Sequence, residues 1–319
     1  MASSTKQALL AALATVGGGC ISGEQLAAQL GVSRAAVHKA AAALTAQGYA
    51  VEAAPRRGYR LVGGDAFCAA EVGSLPGDIY IFDSLESTNL EAKRLAVSGA
   101  PHGTIVLAAR QTAGRGRLDR RFESPLGGVY FSVILRAAVR TSAVQTATVS
   151  AAVAVCRAVE SLCGLSLGIK WVNDLYYQGK KVCGILTEAG ADLESGRLEW
   201  LVVGVGLNLT ATASDFPPEL AGIAGSLYPG GPAPVARAAL AGEVARQLLA
   251  LCPDFGGLDE YRARCFVPGH WVTVNTGFEC YPARAIEIDD AGRLVIQLEN
   301  GRTEALRFGE VSIRPTKTE

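Results

Sequence analysis

Apolar positions in the first sixty residues recur at helical spacing. Leu9, Leu10, Leu13 and Val16 form one stripe that Gly17 to Gly19 end, which predicts a helix over 6–16. Leu26, Ala27 and Leu30 share a face in a second short helix over 23–30, Gly31 permits a left-handed turn, and Ser33 suits the N-cap of a third helix. That helix runs to about Gln47 and Gly48 closes it. Within it Val37, Ala41 and Leu44 point inward, leaving Arg34, Ala35, His38 and Lys39 outward. Tyr49 to Glu52 and Tyr59 to Val62 then flank a Pro55-Arg56-Arg57-Gly58 turn and predict a two-stranded wing. A small helical bundle with a solvated face shares the helical spacing, and the wing favours DNA binding instead. In that reading Ser33, Arg34, Ala35, His38 and Lys39 meet a major groove, and Arg56 and Arg57 meet phosphates.

After Gly63-Gly64-Asp65 the pattern changes to strands alternating with helices. Strands are predicted at 79–82, 104–110, 129–135, 168–171, 174–177, 182–188 and 198–208, with helices at 89–98, 142–163 and 234–251. Gln178-Gly179 is a tight hairpin turn, so neighbouring strands are antiparallel and the sheet is mixed instead of doubly wound. Beyond Val267-Pro268-Gly269, short alternating strands at 271–275, 283–288, 294–298 and 303–306 predict a small β-barrel. The expected organisation is therefore an α+β multidomain chain: a winged helix-turn-helix over 1–64, a mixed α/β domain over 65–266 and a β domain over 267–319.

Composition sharpens this picture. The 319 residues carry 30 basic and 30 acidic side chains, but 1–64 holds six bases against two acids, a local net of +4 that leaves −4 elsewhere. A basic module is attached to a mildly acidic body. No apolar run is read as long enough to span a bilayer and the N-terminus lacks a secretory pattern, which places the chain in the cytoplasm with no membrane partner. Eight cysteines without a CxxC pair, and only three histidines, give no zinc spacing; the cysteines read as small buried apolar residues and no metal ligands are assigned.

Two segments carry the chemistry. Arg110 to Arg121 packs five arginines and two glycines into twelve residues, a loop whose backbone can approach an anion and whose guanidinium groups can clamp phosphate or carboxylate. It lacks the GxxxxGK[ST] pattern of a Walker A loop. Lys170-Trp171-Val172-Asn173-Asp174 places a lysine at a strand end between apolar residues, which is costly unless an anion pairs with it.

Ser87-Thr88-Asn89, QTAGRGR from Gln111 to Arg117, KWVNDLY from Lys170 to Tyr176, KVCGILTE from Lys181 to Glu188, and GVGLNL from Gly204 to Leu209 occur in the order and spacing of the biotin protein ligases. With the winged helix, the chain resembles the bifunctional kind that is both ligase and biotin operon repressor. The resemblance implies a class II synthetase-like central sheet and an SH3-like C-terminal barrel. It also implies formation of biotinyl-5′-adenylate from ATP and biotin, with Mg²⁺, and transfer of biotin to a lysine of a carboxylase carrier domain. Biotin then acts as substrate and, through the adenylate, as co-repressor; the adenylate promotes a homodimer that binds operator DNA. Arg115, Arg117 and Lys170 are the implied catalytic groups. Biotin is implied to contact Ser87, Thr88, Asn89, Gln111, Gly116, Trp171, Gly184 and Leu186 as well as those three cations. The nucleotide is implied to contact Arg115, Arg117, Phe122, Asn173, Lys181 and Asn208. The chain departs from the family pattern at Val172, where proline is usual, and at Asp119 and Phe122, where glycine and tryptophan are usual. Two other readings stand beside this one: a ligase for lipoate or another acid, and a DNA-binding metabolite sensor without ligase activity.

Overall fold

The structure, a computed structural model, describes residues 5–313 except 17, 47, 48, 50, 55, 56, 63, 64, 66, 137–142, 192–197, 253, 278 and 308, and omits the side chains of Ala46, Asp119, Ala143 and Ala191. Arg56 and the linker glycines Gly63 and Gly64 thus lie outside the described residues.

Helices α1 (Thr5–Thr15), α2 (Gly23–Leu30) and α3 (Arg34–Ala46) form a cluster in which Leu9, Leu10, Leu13, Leu26, Val37 and Leu44 are fully buried. The start of α2 is a capping box: Ser22 Oγ accepts from Gln25 N and Gln25 Oε1 accepts from Ser22 N, both at 3.1 Å. Gly31 ends it at φ 63°. Strands β1 (Val51–Ala54) and β2 (Gly58–Leu61) pair antiparallel as the expected wing, with Ala54 opposite Gly58. A Cβ on Gly58 would sit 2.0 Å from the Ile21 carbonyl oxygen, so only glycine lets the wing close against the helices.

A short helix, α4 (Ala69–Val72), precedes β3 (Ile79–Phe82), α5 (Thr88–Val97), β4 (Ile105–Ala108), β5 (Gly128–Leu135), α6 (Ala143–Cys163), β6 (Gly168–Lys170), β7 (Asp174–Tyr177), β8 (Lys180–Ala191) and β9 (Leu198–Asn208). The sheet order is β3-β4-β5-β9-β8-β7-β6. Only β3 and β4 run parallel; the other pairs are antiparallel, giving the mixed sheet expected from the Gln178-Gly179 hairpin. Every residue of β5 is buried, as befits a central strand covered on both faces. Helix α5 covers one face through Ala92, Leu95 and Ala96 against Val106, Ile134 and Val202. The other face carries α6 together with α7 (Arg237–Leu251) and α8 (Leu258–Arg264).

By length and composition Val144–Cys163 could cross a membrane, contrary to the expectation that no run was long enough. It is two-thirds buried against the sheet and α7, so its apolar character serves a core.

Strands β10 (Trp271–Asn275), β11 (Cys280–Ile288), β12 (Leu294–Gln297), β13 (Thr303–Leu306) and β14 (Glu310–Ile313) form an antiparallel sheet in the order β13-β12-β11-β10-β14. Its inward residues, including Val272, Val274, Ala283 and Ile296, join the same apolar cluster as the central sheet. The expected closed barrel is not found: β13 pairs only with β12 and β14 only with β10, so among the described residues the sheet stays open. The cysteine reading also needs correction, because Cys20 and Cys280 are exposed while the other six are buried or half-buried.

One polar contact ties the N-terminal module to the centre, and a second fixes the segment just after it against α7. Lys6 of α1 forms an ion pair with Asp83 just after β3. Arg237 at the start of α7 pairs with Asp65, stacks 4.7 Å from the Phe67 ring centroid, and donates its backbone N–H to Asp65 Oδ1 at 2.7 Å. Nearby Tyr49 is packed between the two cores, and burial pushes its phenol up to about 12.

Candidate active site

One cavity of about 400 Å³ opens over the C-terminal part of β9 and the adjoining part of β8. Its floor is built from facing glycines: Gly184 lies opposite Gly206, and Leu186 opposite Gly204. The missing side chains are filled by other residues. A Cβ on Gly206 would lie 2.4 Å from the Phe122 ring and one on Gly184 would lie 3.0 Å from it, so Phe122 from the arginine loop rests flat on this floor. Tyr130 meets Phe122 edge to face at 6.4 Å and donates its hydroxyl to the Pro125 carbonyl at 2.7 Å.

One end of the cavity is neutral and polar. Ser87, Thr88 and Asn89 open α5 and are each nearly fully buried. Thr88 N–H donates to Gln111 Oε1 at 2.8 Å, and Gln111 Nε2 donates to Ser124 Oγ at 2.9 Å. Ser132 of β5, which sequence reasoning missed, donates to Asn89 Oδ1 at 2.6 Å and lies 2.8 Å from Thr88 Oγ1. Asn89 Nδ2 donates to the Leu186 carbonyl at 3.2 Å and to Glu188 at 2.9 Å, and Lys93 pairs with Glu188 at 2.7 Å. Burial pushes the Glu188 carboxyl up, but the hydrogen bonds from Lys93 and Asn89 outweigh it and hold the group below its ordinary value.

The other end is cationic. The loop from Arg110 to Phe122 turns back on itself where Arg115 bridges Arg121 and Gly116 N–H donates to the Arg120 carbonyl at 2.8 Å. Arg115 is exposed and Gly116 half-buried, both at the cavity. Arg117 is drawn inward and donates to Asn173 Oδ1 at 3.1 Å. Burial lowers its pKa, partly offset by Asp174 and Glu310, yet a guanidinium keeps its proton at any physiological pH. Asn173 is itself fixed by donating from Nδ2 to the Ile185 carbonyl at 2.8 Å. Lys170 ends β6 with its ammonium 5.9 Å from the Tyr176 ring centroid; among the described residues no carboxylate pairs with it. Lys181 pairs with Asp174 at 2.6 Å.

Two expected contacts have a different basis. Trp171 lines the cavity only at its edge: it is 3% exposed and its indole N–H donates to the Gly292 carbonyl at 3.0 Å, which pins it to the C-terminal sheet. Asn208 donates to the Gly225 carbonyl at 3.0 Å, leaving its buried side-chain oxygen without a partner among the described residues. Sequence reasoning also missed two walls. Phe216, Leu220, Ile223 and Ala224 line one side, from a segment whose apolar residues follow no helical or strand period. Glu310 and Val311 of β14 line another, and Glu310 pairs with Arg120 of the loop at 2.7 Å.

Comparison with known proteins gives this arrangement its context. The biotin/lipoate A/B protein ligase family matches residues 81–208, and a helix-turn-helix domain matches 5–60. The bifunctional ligase/repressor BirA of Bacillus subtilis is 35% identical over 94% of this chain and 96% of its own length. The chain belongs to the bifunctional ligase/repressor family.

In this family the ligase match runs from β3 to β9, so it contains Ser87–Asn89, Gln111, Arg115–Arg117, Phe122, Lys170–Asn173, Lys181, Gly184, Leu186 and Asn208. A biotin–[acetyl-CoA-carboxylase] ligase from Mycobacterium tuberculosis is 32% identical over 70% of this chain and 85% of its own. A biotin protein ligase from Aquifex aeolicus, solved with biotin and ATP, superposes with a TM-score of 0.61 at 26% identity, covering 74% of this chain and all but 2% of that one. The helix-turn-helix match spans α1 to β2, where Ser33 caps α3 by accepting from Ala36 N–H at 3.1 Å. Arg34, Ala35, His38 and Lys39 are exposed there as the helical periodicity predicts, and Arg57 is exposed in the turn of the wing.

Proposed function

We propose that this ligase/repressor joins biotin to ATP in the cavity and passes the biotinyl group to a lysine of a carboxylase carrier domain. The observation that carries the reading is one cavity with a neutral, hydrogen-bonding end at Thr88 and Gln111 and a cationic end at Arg115, Arg117 and Lys170. A carboxylate oxygen of biotin attacks the α-phosphorus, the bond to the β-phosphate oxygen breaks, and pyrophosphate leaves. Two anions must meet for this, and fixed positive charge in a water-poor site lowers that barrier. Biotin lies along Gly116, Gly184, Leu186 and the edge of Trp171, and the nucleotide against Phe122, Asn173, Lys181 and Asn208. The carrier amine then attacks the acyl carbon, AMP leaves, and the amine loses a proton.

Mg²⁺ enters with ATP. Among the described residues no cluster of three histidine, cysteine, aspartate or glutamate side chains could cage an ion, which suits a cation held by phosphate oxygens and water. Asp174 faces the cavity but is engaged by Lys181.

Replacing Arg117 with Ala removes the loop's hydrogen bond to Asn173 while leaving Phe122 on the glycine floor. The variant is expected to fold and to form adenylate but to release it early, read as free biotinyl-adenylate in the filtrate of a stalled reaction without carrier. Adenylate retained at the parental level excludes this role.

The exposed face of α3 and the wing bind operator DNA as a repressor, with adenylate-driven dimerisation through the central sheet and a cytoplasmic location. The half-open C-terminal sheet is read as SH3-like. Since Arg57 is exposed at the wing tip, Arg57→Ala is expected to lower the slope of log affinity against log salt by about one, as loss of one phosphate contact does. An unchanged slope places Arg57 off the DNA.

Pyrophosphate release with MgATP tests the enzyme. Release that depends on biotin and not on lipoate, followed by a mass increase of an added carrier domain, supports the reading. Release with lipoate alone, or with neither acid, overturns it.

A further inference from the structure

Two side chains behind the cavity have no assigned part, Glu188 and Ser132, neither at the cavity surface, and they hold a third, Asn89, which lines the cavity but whose amide is used up internally. Their hydrogen bonds can be ordered without any assumption about proton positions. The Glu188 carboxylate only accepts, and so does the Leu186 carbonyl, so the Asn89 atom facing both is its nitrogen. The Asn89 oxygen therefore faces Ser132, and Ser132 spends its single proton on it at 2.6 Å. A second reference stands at the other end. Thr88 N–H only donates, so the Gln111 atom 2.8 Å away is oxygen. The hydroxyl of Thr88 lies between that oxygen at 3.2 Å and Ser132 Oγ at 2.8 Å, both of which can only accept from it. Its proton is thus consumed on one of them, and the free side of Thr88 Oγ1 offers the cavity a lone pair alone.

We infer that Glu188, Asn89 and Ser132 are positioning residues that lock Thr88 as a hydrogen-bond acceptor and so select ligands presenting an N–H donor at this end of the cavity. The inference rests on the biotin reading above and deepens it. A cyclic urea carries such N–H groups; a dithiolane carries none, so the relay would reject lipoate by its chemistry. Glu188 sits at the origin because its carboxylate, kept ionised by Lys93, can only accept and holds the Asn89 nitrogen at 2.9 Å, closer than the Leu186 carbonyl at 3.2 Å.

The test compares binding of biotin and of biotin methylated at its ureido nitrogens, by calorimetry, for the parent protein, Ser132→Ala and Glu188→Gln, with thermal midpoints alongside. The parent is expected to prefer biotin. In Ser132→Ala the Thr88 hydroxyl keeps only its longer acceptor, Gln111 Oε1 at 3.2 Å, so its proton can turn to the cavity, and the preference falls about tenfold, as losing one well-ordered hydrogen bond does. Glu188→Gln, which lets Asn89 turn over, is expected to lose preference in the same direction, and it carries the test if the serine variant does not fold. Equal weakening of both ligands, or an unchanged preference in a folded variant, means the three residues only support the fold and overturns the inference. Failure of the parent to bind biotin at all overturns the biotin reading itself, and is distinct because it appears before any variant is compared.

Discussion

Lys170→Ala is expected to abolish biotin-dependent pyrophosphate release, with a fall of roughly 10²–10³-fold, the size found when a pre-positioned electrostatic partner of a reaction's developing charge is removed. The structural argument is one of isolation. Lys170 is half-buried at the end of β6 with its ammonium 5.9 Å from the Tyr176 ring centroid, while Lys181 is already committed to Asp174. A half-buried ammonium without a protein counter-ion is costly in the empty protein, and an arriving carboxylate or phosphate repays that cost. The same reasoning predicts no loss of stability: the variant should melt at or slightly above the parent's temperature, since a desolvated charge has been removed. Normal carrier labelling by Lys170→Ala would show that the charge at the meeting point comes from the arginines alone.

Gly204→Ala should weaken biotin binding by about tenfold to a hundredfold, although Gly204 need never touch the ligand. A Cβ there would lie 1.8 Å from Asn89 Oδ1 and 2.7 Å from Asn89 Cγ. Asn89 cannot step aside cheaply, because its amide is held by Glu188, the Leu186 carbonyl and Ser132 at once. Displacing it leaves buried polar groups unpaired, and each such group costs about 1–3 kcal/mol. Calorimetry should register the loss for biotin, with the affinity for ATP changed less, and the melting temperature should drop by a few degrees. Gly231→Ala is the control, since nothing lies within 4 Å of its added methyl. If Gly204→Ala binds biotin like the parent, the strand floor is more compliant than the contacts imply and the relay from Glu188 to Thr88 carries less weight.

The two variants probe opposite ends of one cavity, and their effects should be nearly additive, because the polar relay and the lysine share no partner.

Much of this protein follows from local pattern. Helical spacing of Leu9, Leu13, Leu26, Val37 and Leu44 was enough to mark the N-terminal core and, by subtraction, the exposed Arg34, His38 and Lys39, because a helix that must bury one stripe leaves the rest to solvent. The Gln178-Gly179 turn, with φ of 48° and 75°, required an antiparallel neighbour and hence a mixed sheet. The arginine loop and Lys170 announced an anion site, since charge between apolar or glycine residues has no cheap structural use.

Other features were decided only by the folded chain. Ser132 is an unremarkable serine in an apolar strand, and becomes a relay because β5 passes beneath the start of α5. Glu188 lies far along the sequence from Asn89 and Lys93, and only the pairing of β8 with β9 under α5 brings them together. Glu310 reaches Arg120 because β14 adds to the free edge of β10, and that same pairing, leaving the outer edges of β13 and β14 unpaired, is why the C-terminal sheet stays open among the described residues. Local sequence specifies which face of each element is apolar, because periodicity acts within one helix or strand. Which polar atoms meet behind that face depends on contacts between distant segments, and no local period encodes them.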